Sequence, residues 1–176
     1  MARESRLERN FWRYWLGGLL ILAAMIAMNP WFVNDVSPWG IRDHQAAGTA
    51  AQVDAIQAAW QAAGVMGLAR FGMAVDLIYI GIYSFGAYCG GRMFAASKSS
   101  GLRRLGWAIM AAAIIVGLTD YAETICQFIQ AMTFRGDDGL ASVAAIAQPI
   151  KSIAFLTSFF GLLAALALRR MTSPHA

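Results

Sequence analysis

The sequence predicts an all-α integral membrane protein: a bundle of four spanning helices with an extra amphipathic helix at the outer surface. Three observations carry that prediction. Hydrophobic residues make up 59% of the 176-residue chain and charged ones only 14%, far from the balance of soluble proteins. The apolar residues gather in segments at about 14–33, 71–93, 106–134 and 143–168, each near the roughly 20 residues that a bilayer core of about 30 Å requires. Lys and Arg concentrate in alternate connections. Little chain is left for anything else, so 1–176 reads as a single transmembrane domain.

Residues 1–13, MARESRLERNFWR, are polar and basic, and the apolar run Tyr14–Val33 follows them. A secretory signal also opens this way, but the run is long for one and no small-x-small cleavage site precedes Asn29-Pro30. A retained first helix is expected. Pro38, Gly40 and Gly48 punctuate 34–48 as a loop. Thr49 with Gln52 has the form of a capping box, and Val53, Ile56, Trp60 and Gly64 recur at helical spacing. An Ala-rich amphipathic helix is therefore expected over about 49–66, lying on the membrane or capping the bundle and bending near Gly64 or Gly67 into the second span. Arg70 and Arg92 bound that span, the basic loop ASKSSGLRRLG leads to the third, and the acidic turn RGDDG leads to the fourth. The fourth ends in Arg169-Arg170 and a short polar tail.

Orientation follows from the short connections. The N-terminus, the second loop and the C-terminus hold Arg3, Arg6, Arg9, Arg13, Arg92, Lys98, Arg103, Arg104, Arg169 and Arg170. The opposite side has Arg42 and Arg135 against Asp35, Asp43, Asp54, Asp137 and Asp138. Both termini are expected in the cytoplasm. Trp12, Trp15 and Trp107 near one face, with Trp31, Trp39 and Trp60 near the other, fit interfacial belts. The net charge of +4 is thus a topological signal and speaks against a nucleic-acid partner.

Depth singles out one layer. At about 1.5 Å per residue, Asn29 lies about 24 Å from Arg13, Asp76 about 24 Å from Arg92, Asp120 about 24 Å from Arg104, and Lys151 about 27 Å from Arg169. Every span carries a polar group at one level, in the outer half of the membrane, with Glu123 one turn further out. Facing agrees: Asp120, Glu123, Gln127 and Gln130 share a stripe, as do Asp76, Tyr79 and Tyr83, and Gln148, Lys151, Phe155 and Ser158. Ionisable groups in hydrocarbon cost from about 2.5 kcal/mol upward, so these stripes are expected to face inward.

Two readings of the layer stay open. In one, Lys151 neutralises a carboxylate, the tyrosines and Asn29 complete the hydrogen bonds, and the network only sets helix register. In the other, the excess of carboxylates holds a proton or a cation. Such a cage suits an organic amine or an oxygen-liganded divalent metal. Transition-metal and haem sites lack their usual ligands, since His44 and His175 fall in a loop and the tail and no Cys-x-x-Cys occurs. No metal site and no cofactor is assigned. Cys89 and Cys126 lie within spans and are expected as free buried thiols. Gly86 and Gly90 form a GxxxG pattern that allows close helix contact, within the bundle or between protomers. No Walker loop, dinucleotide fingerprint or Ser-His-Asp order is present.

The run DLIYIGIY beginning at Asp76, the basic loop, Asp120-Tyr121-Ala122-Glu123 and Lys151 together resemble a family of small four-helix bacterial membrane proteins. The likeness spans Trp60 to about Phe155. Members usually follow the glutamate with Asn, where this chain has Thr124. The resemblance implies that Asp76, Asp120, Glu123 and Lys151 act as a unit in a bacterial inner membrane, and it assigns no reaction. The expected function is a multispanning protein whose layer of Asp76, Tyr79, Tyr83, Asp120, Glu123, Gln127, Lys151 and Asn29 binds a small cationic or amphipathic ligand or exchanges protons. The alternatives are a non-catalytic accessory subunit of a larger membrane complex, docking a membrane-protein partner or a second copy through its outward lipid faces or the Gly86/Gly90 stripe, and an intramembrane lipid-modifying enzyme. Beyond the lipid bilayer, no partner is named by the sequence.

Overall fold

The computed structural model describes residues 2–172, with side chains for 6–171; the Arg3 side chain, His175 and the polar tail lie outside the described residues. Among these residues the protein is all-helical, with no strand. Helix α1 (Ala2–Met28) passes into a short 3-10 turn, Asn29–Phe32, followed by α2 (Ile41–Ala46), α3 (Ala50–Ala62), α4 (Met66–Ala95), α5 (Ser100–Thr133) and α6 (Asp138–Thr172). Four helices, Arg6–Phe32, Met66–Ala95, Ser100–Thr133 and Asp138–Met171, are long and apolar enough to cross a membrane. Their outward faces are apolar too: Leu20, Ile78, Leu118 and Ile153, one on each long helix, are 66–74% exposed. Soluble monomers do not display apolar surface on this scale. Length, composition and these faces make the chain a multi-pass membrane protein.

The helices outrun the apolar segments that announced them, because flanking Arg, Glu, Leu and Ala are themselves good helix formers. The predicted bend between α3 and α4 falls at Gly64, where φ is +73°. There the Val65 N–H donates to Trp60 O at 2.9 Å and the Gly64 N–H to Gln61 O at 3.0 Å, the paired bonds of a Schellman cap. At the end of α5 the same left-handed position is filled by Phe134, with φ +52°. At the start of α3, Thr49 Oγ1 accepts the Gln52 N–H at 3.3 Å, as its capping pattern predicts. Helix α2 arises in what the sequence marks only as a loop. It is too short to be stable alone. Asn29, at the end of the first long helix, accepts the Ile41 N–H at 3.1 Å through Oδ1 and donates to Trp39 O at 3.3 Å through Nδ2, so the helix start is held from outside α2.

The contacts gather into two compact units, and each long helix contributes to both. The first comprises residues 1–19, 81–117 and 151–176. Its core contains Phe11, Trp15, Phe94, Ile109, Leu162 and Ala165. Trp15, expected in an interfacial belt, is therefore a core residue. A Cβ on Gly86 would stand 2.7 Å from Trp15 N and 2.9 Å from Tyr14 C, and one on Gly90 would meet Phe11 and Leu162. The GxxxG pattern is used within the chain, seating α4 against α1 and α6. Arg169 and Glu8 form an exposed ion pair at 2.8 Å.

The second unit comprises residues 20–80 and 118–150. Phe32, Val53, Ile56, Trp60, Met66 and Met73 lie in its core, so the apolar stripe of α3 packs on helices of its own unit and caps them. Trp60 is fully buried and donates its indole N–H to Phe32 O at 3.0 Å; it too leaves the expected belt, while Trp12, Trp31, Trp39 and Trp107 are exposed. The turn between α5 and α6 is tied to α3, because Asp54 accepts the Gly136 N–H at 2.6 Å and Asp138 accepts the Ala50 N–H at 2.7 Å. Any side chain at Gly136 would run into the backbone of Ala50. Cys89 and Cys126 are buried free thiols, as expected.

Two substitutions test this packing by thermal unfolding in detergent. Gly86→Ala forces a methyl into the α1 backbone and should cost about 2 kcal/mol. Phe134→Gly removes a left-handed strain from an exposed position and should stabilise by about 1 kcal/mol.

Candidate functional site

The parts of α4 and α5 in the second unit carry the three acidic residues that the sequence singles out. Asp76 is 9% exposed, Asp120 5% and Glu123 not at all, which for carboxyl groups in spanning helices is the defining feature of the site. Asp76 and Tyr79 are one turn apart on α4. Asp120, Glu123, Thr124 and Gln127 recur at i, i+3, i+4 and i+7 on α5, so all four project from one face. The Thr124 hydroxyl donates to Asp76 Oδ2 at 2.9 Å and joins the two helices directly. Tyr79 lies within electrostatic reach of both Asp120 and Asp76. Gln127 donates through Nε2 to Glu123 Oε1 at 3.4 Å, a long bond.

Asn29 of the expected layer and Gln130 of the same stripe make other contacts. Asn29 belongs to this unit, but both atoms of its amide are engaged by the Trp39–Ile41 segment. Gln130, on the same stripe as Glu123, donates to Cys126 O at 3.2 Å and accepts the Asp137 N–H at 3.0 Å, so it secures the turn after α5. Tyr83 and Lys151 fall in the first unit. There Tyr83 meets Phe155 edge-on with ring centroids 5.6 Å apart, and Gly18 fits against its Cβ. Lys151 is half-buried on α6, and Ser158 returns its hydroxyl to Phe155 O of the same helix at 3.0 Å. Gly86 and Gly90 pack inside the first unit, as described above.

Sequence reasoning missed Thr124 as a member of the site, although its i+4 spacing from Asp120 was a usable signal. It also left His44 in a loop, whereas the side chain is 1% exposed and stacked on Trp60. No periodicity could have shown that, since the contact depends on α3 folding back.

Chemically, the site combines buried carboxyl groups with a threonine hydroxyl, a phenol and an amide. It can accept and donate hydrogen bonds to a cationic group or pass a proton among acceptors. Among the described residues no group of three or more His, Cys, Asp or Glu is placed to hold a metal ion. Comparison with protein-family models, curated proteins and solved structures finds no match to this chain. Composition and geometry define the class: a multi-pass helical membrane protein with buried acidic residues.

Thr124 gives the site its first test. Thr124→Val keeps shape but leaves the buried Asp76 without this donor and should cost about 2 kcal/mol of stability, whereas Thr124→Asn retains a donor and should lose less than half of that. Thermal unfolding of the two variants beside wild type measures the difference.

Proposed function

We propose that this protein binds a small cation, an organic amine or a proton, at Asp76, Asp120 and Glu123 in the outer half of a bacterial inner membrane, with both termini in the cytoplasm. The observation that carries this reading is the burial of three carboxyl side chains on adjoining faces of α4 and α5, with Tyr79, Thr124 and Gln127 around them. Each such group costs from about 2.5 kcal/mol when placed at the centre of a membrane helix. Helix register alone could be set by neutral amides at far lower cost. A function that needs negative charge or exchangeable protons accounts for the acids.

The charge distribution supports the orientation. The first unit holds all but Arg42, Arg70 and Arg135 of the 14 lysines and arginines, and the second holds all but Glu4 and Glu8 of the 10 acidic residues. Basic connections remain cytoplasmic during insertion. Docking of a partner helix on the Gly86/Gly90 stripe is not supported, because α1 and α6 already occupy it.

Asp120→Asn and Glu123→Gln, purified in detergent, provide the test through thermal stability from about pH 5 to about pH 8 and native mass spectrometry. Wild type should show a pH-dependent stability that either neutral substitution flattens, or a bound small molecule that either substitution removes. Unchanged pH dependence together with an unchanged bound mass in both variants would sink the proposal.

A further inference from the structure

The second unit buries a titratable group that the carboxylate site does not use. His44 on α2 is 1% exposed and lies nearly parallel to the Trp60 indole, with centroids 5.2 Å apart and planes inclined by 30°. Its Nε2 faces Gln57 Nε2 at 3.4 Å, and Gln57 is also 1% exposed. Neither His44 Nδ1 nor Gln57 Oε1 has a hydrogen-bond partner among the described residues. Trp60 in turn donates to Phe32 O and, at 3.1 Å, to Ser37 Oγ, while Ser37 donates to Phe32 O at 2.7 Å. One stack therefore joins α2, α3 and the turn after α1.

Only a neutral imidazole fits this place. An imidazolium has two N–H donors. Rotation of the Gln57 amide could offer Oε1 to one of them, but the other would stay without an acceptor in a dry environment. No carboxylate is hydrogen-bonded to the ring. On α2 itself, Arg42 is exposed and Asp43 accepts the Trp39 N–H; on α3, Asp54 is exposed and accepts the Gly136 N–H. Asp35 in the turn after α1 is exposed, as are Arg135, Asp137 and Asp138 in the turn before α6. Arg70 of α4 donates to Ala131 O at 2.8 Å. Burial by itself lowers the His44 pKa from 6.5 to about 4.

We propose that His44 is a proton-operated latch: protonation of its buried ring breaks the stack on Trp60 and releases α2 and α3 from the helices they cap. The direction follows from linkage. The open state takes up a proton near the unperturbed value and the closed state only near the lowered one, so closure is strongest above about pH 6.5 and weakens as pH falls toward about 4. In the proposed orientation the cap faces the periplasm, where pH follows the medium, and this makes it responsive to acid. The latch does not depend on what the carboxylates bind.

Hydrogen–deuterium exchange on the full chain in detergent tests it, read from peptides covering Ile41–Ala62 and corrected for intrinsic exchange. Between about pH 7.5 and about pH 5 the opening equilibrium of these peptides should rise roughly 30-fold in wild type. His44→Gln should abolish the rise. Gln57→Glu, which sets a carboxylate beside Nε2, should keep the segment protected at the lower pH and serves as the test if His44→Gln fails to fold. Equal protection at both pH values in wild type overturns the latch, as does an acid response that survives in whichever variant is measured.

Discussion

Carboxyl groups inside apolar helices set the terms for the second unit. Lipid offers them no hydrogen bond, so whatever polar contact they make must come from the protein. Asp76 finds Thr124 across the α4–α5 contact, and Glu123 is approached by Gln127 from its own helix. Turning either helix by one residue would swing these groups by about 100° toward hydrocarbon. The rotation of α4 against α5 is thereby tightly constrained, and the apolar residues on the far sides, such as Ile78 and Leu118, are left to face lipid.

The first unit is held by different means. Its contacts are close approaches of backbone, made where glycines leave room: Gly86 beside Trp15, Gly91 beside Met110 and Gly106, and Gly90 beneath Phe11 and Leu162. Between helices in a membrane the hydrophobic effect contributes little, so dispersion across such tight contacts carries much of the association. The buried acids lie in one unit, and most of the close glycine contacts in the other.

The short helices α2 and α3 depend on capping rather than on length. Helix α3 is closed by a Schellman turn at Gly64 and held at its start by Thr49 and Asp138, while α2 has its first N–H satisfied by Asn29. Six residues cannot stay helical on propensity alone. Packing of His44 and Trp60 supplies what propensity lacks. That arrangement also buries a titratable ring in the least self-sufficient part of the protein, where a modest change in charge has most effect.

The number of long helices, their approximate limits, the amphipathic α3 and the turn at Gly64 were legible in the sequence, because hydropathy, helical periodicity and glycine conformation are local properties. The buried stripe of Asp120, Glu123, Gln127 and Gln130 was legible for the same reason, since the rotation per residue is constant along a helix. Only the tertiary structure decided the partners of several polar residues: it gave Thr124 to Asp76, committed Asn29 to the start of α2 and spent Gln130 on the turn after α5. It also moved Trp15 and Trp60 from expected belts into cores and made a buried partner of His44, read from sequence as a loop residue. These outcomes depend on rotation and on contacts between residues far apart in sequence, and a pattern of apolar and polar positions limits those without choosing among them.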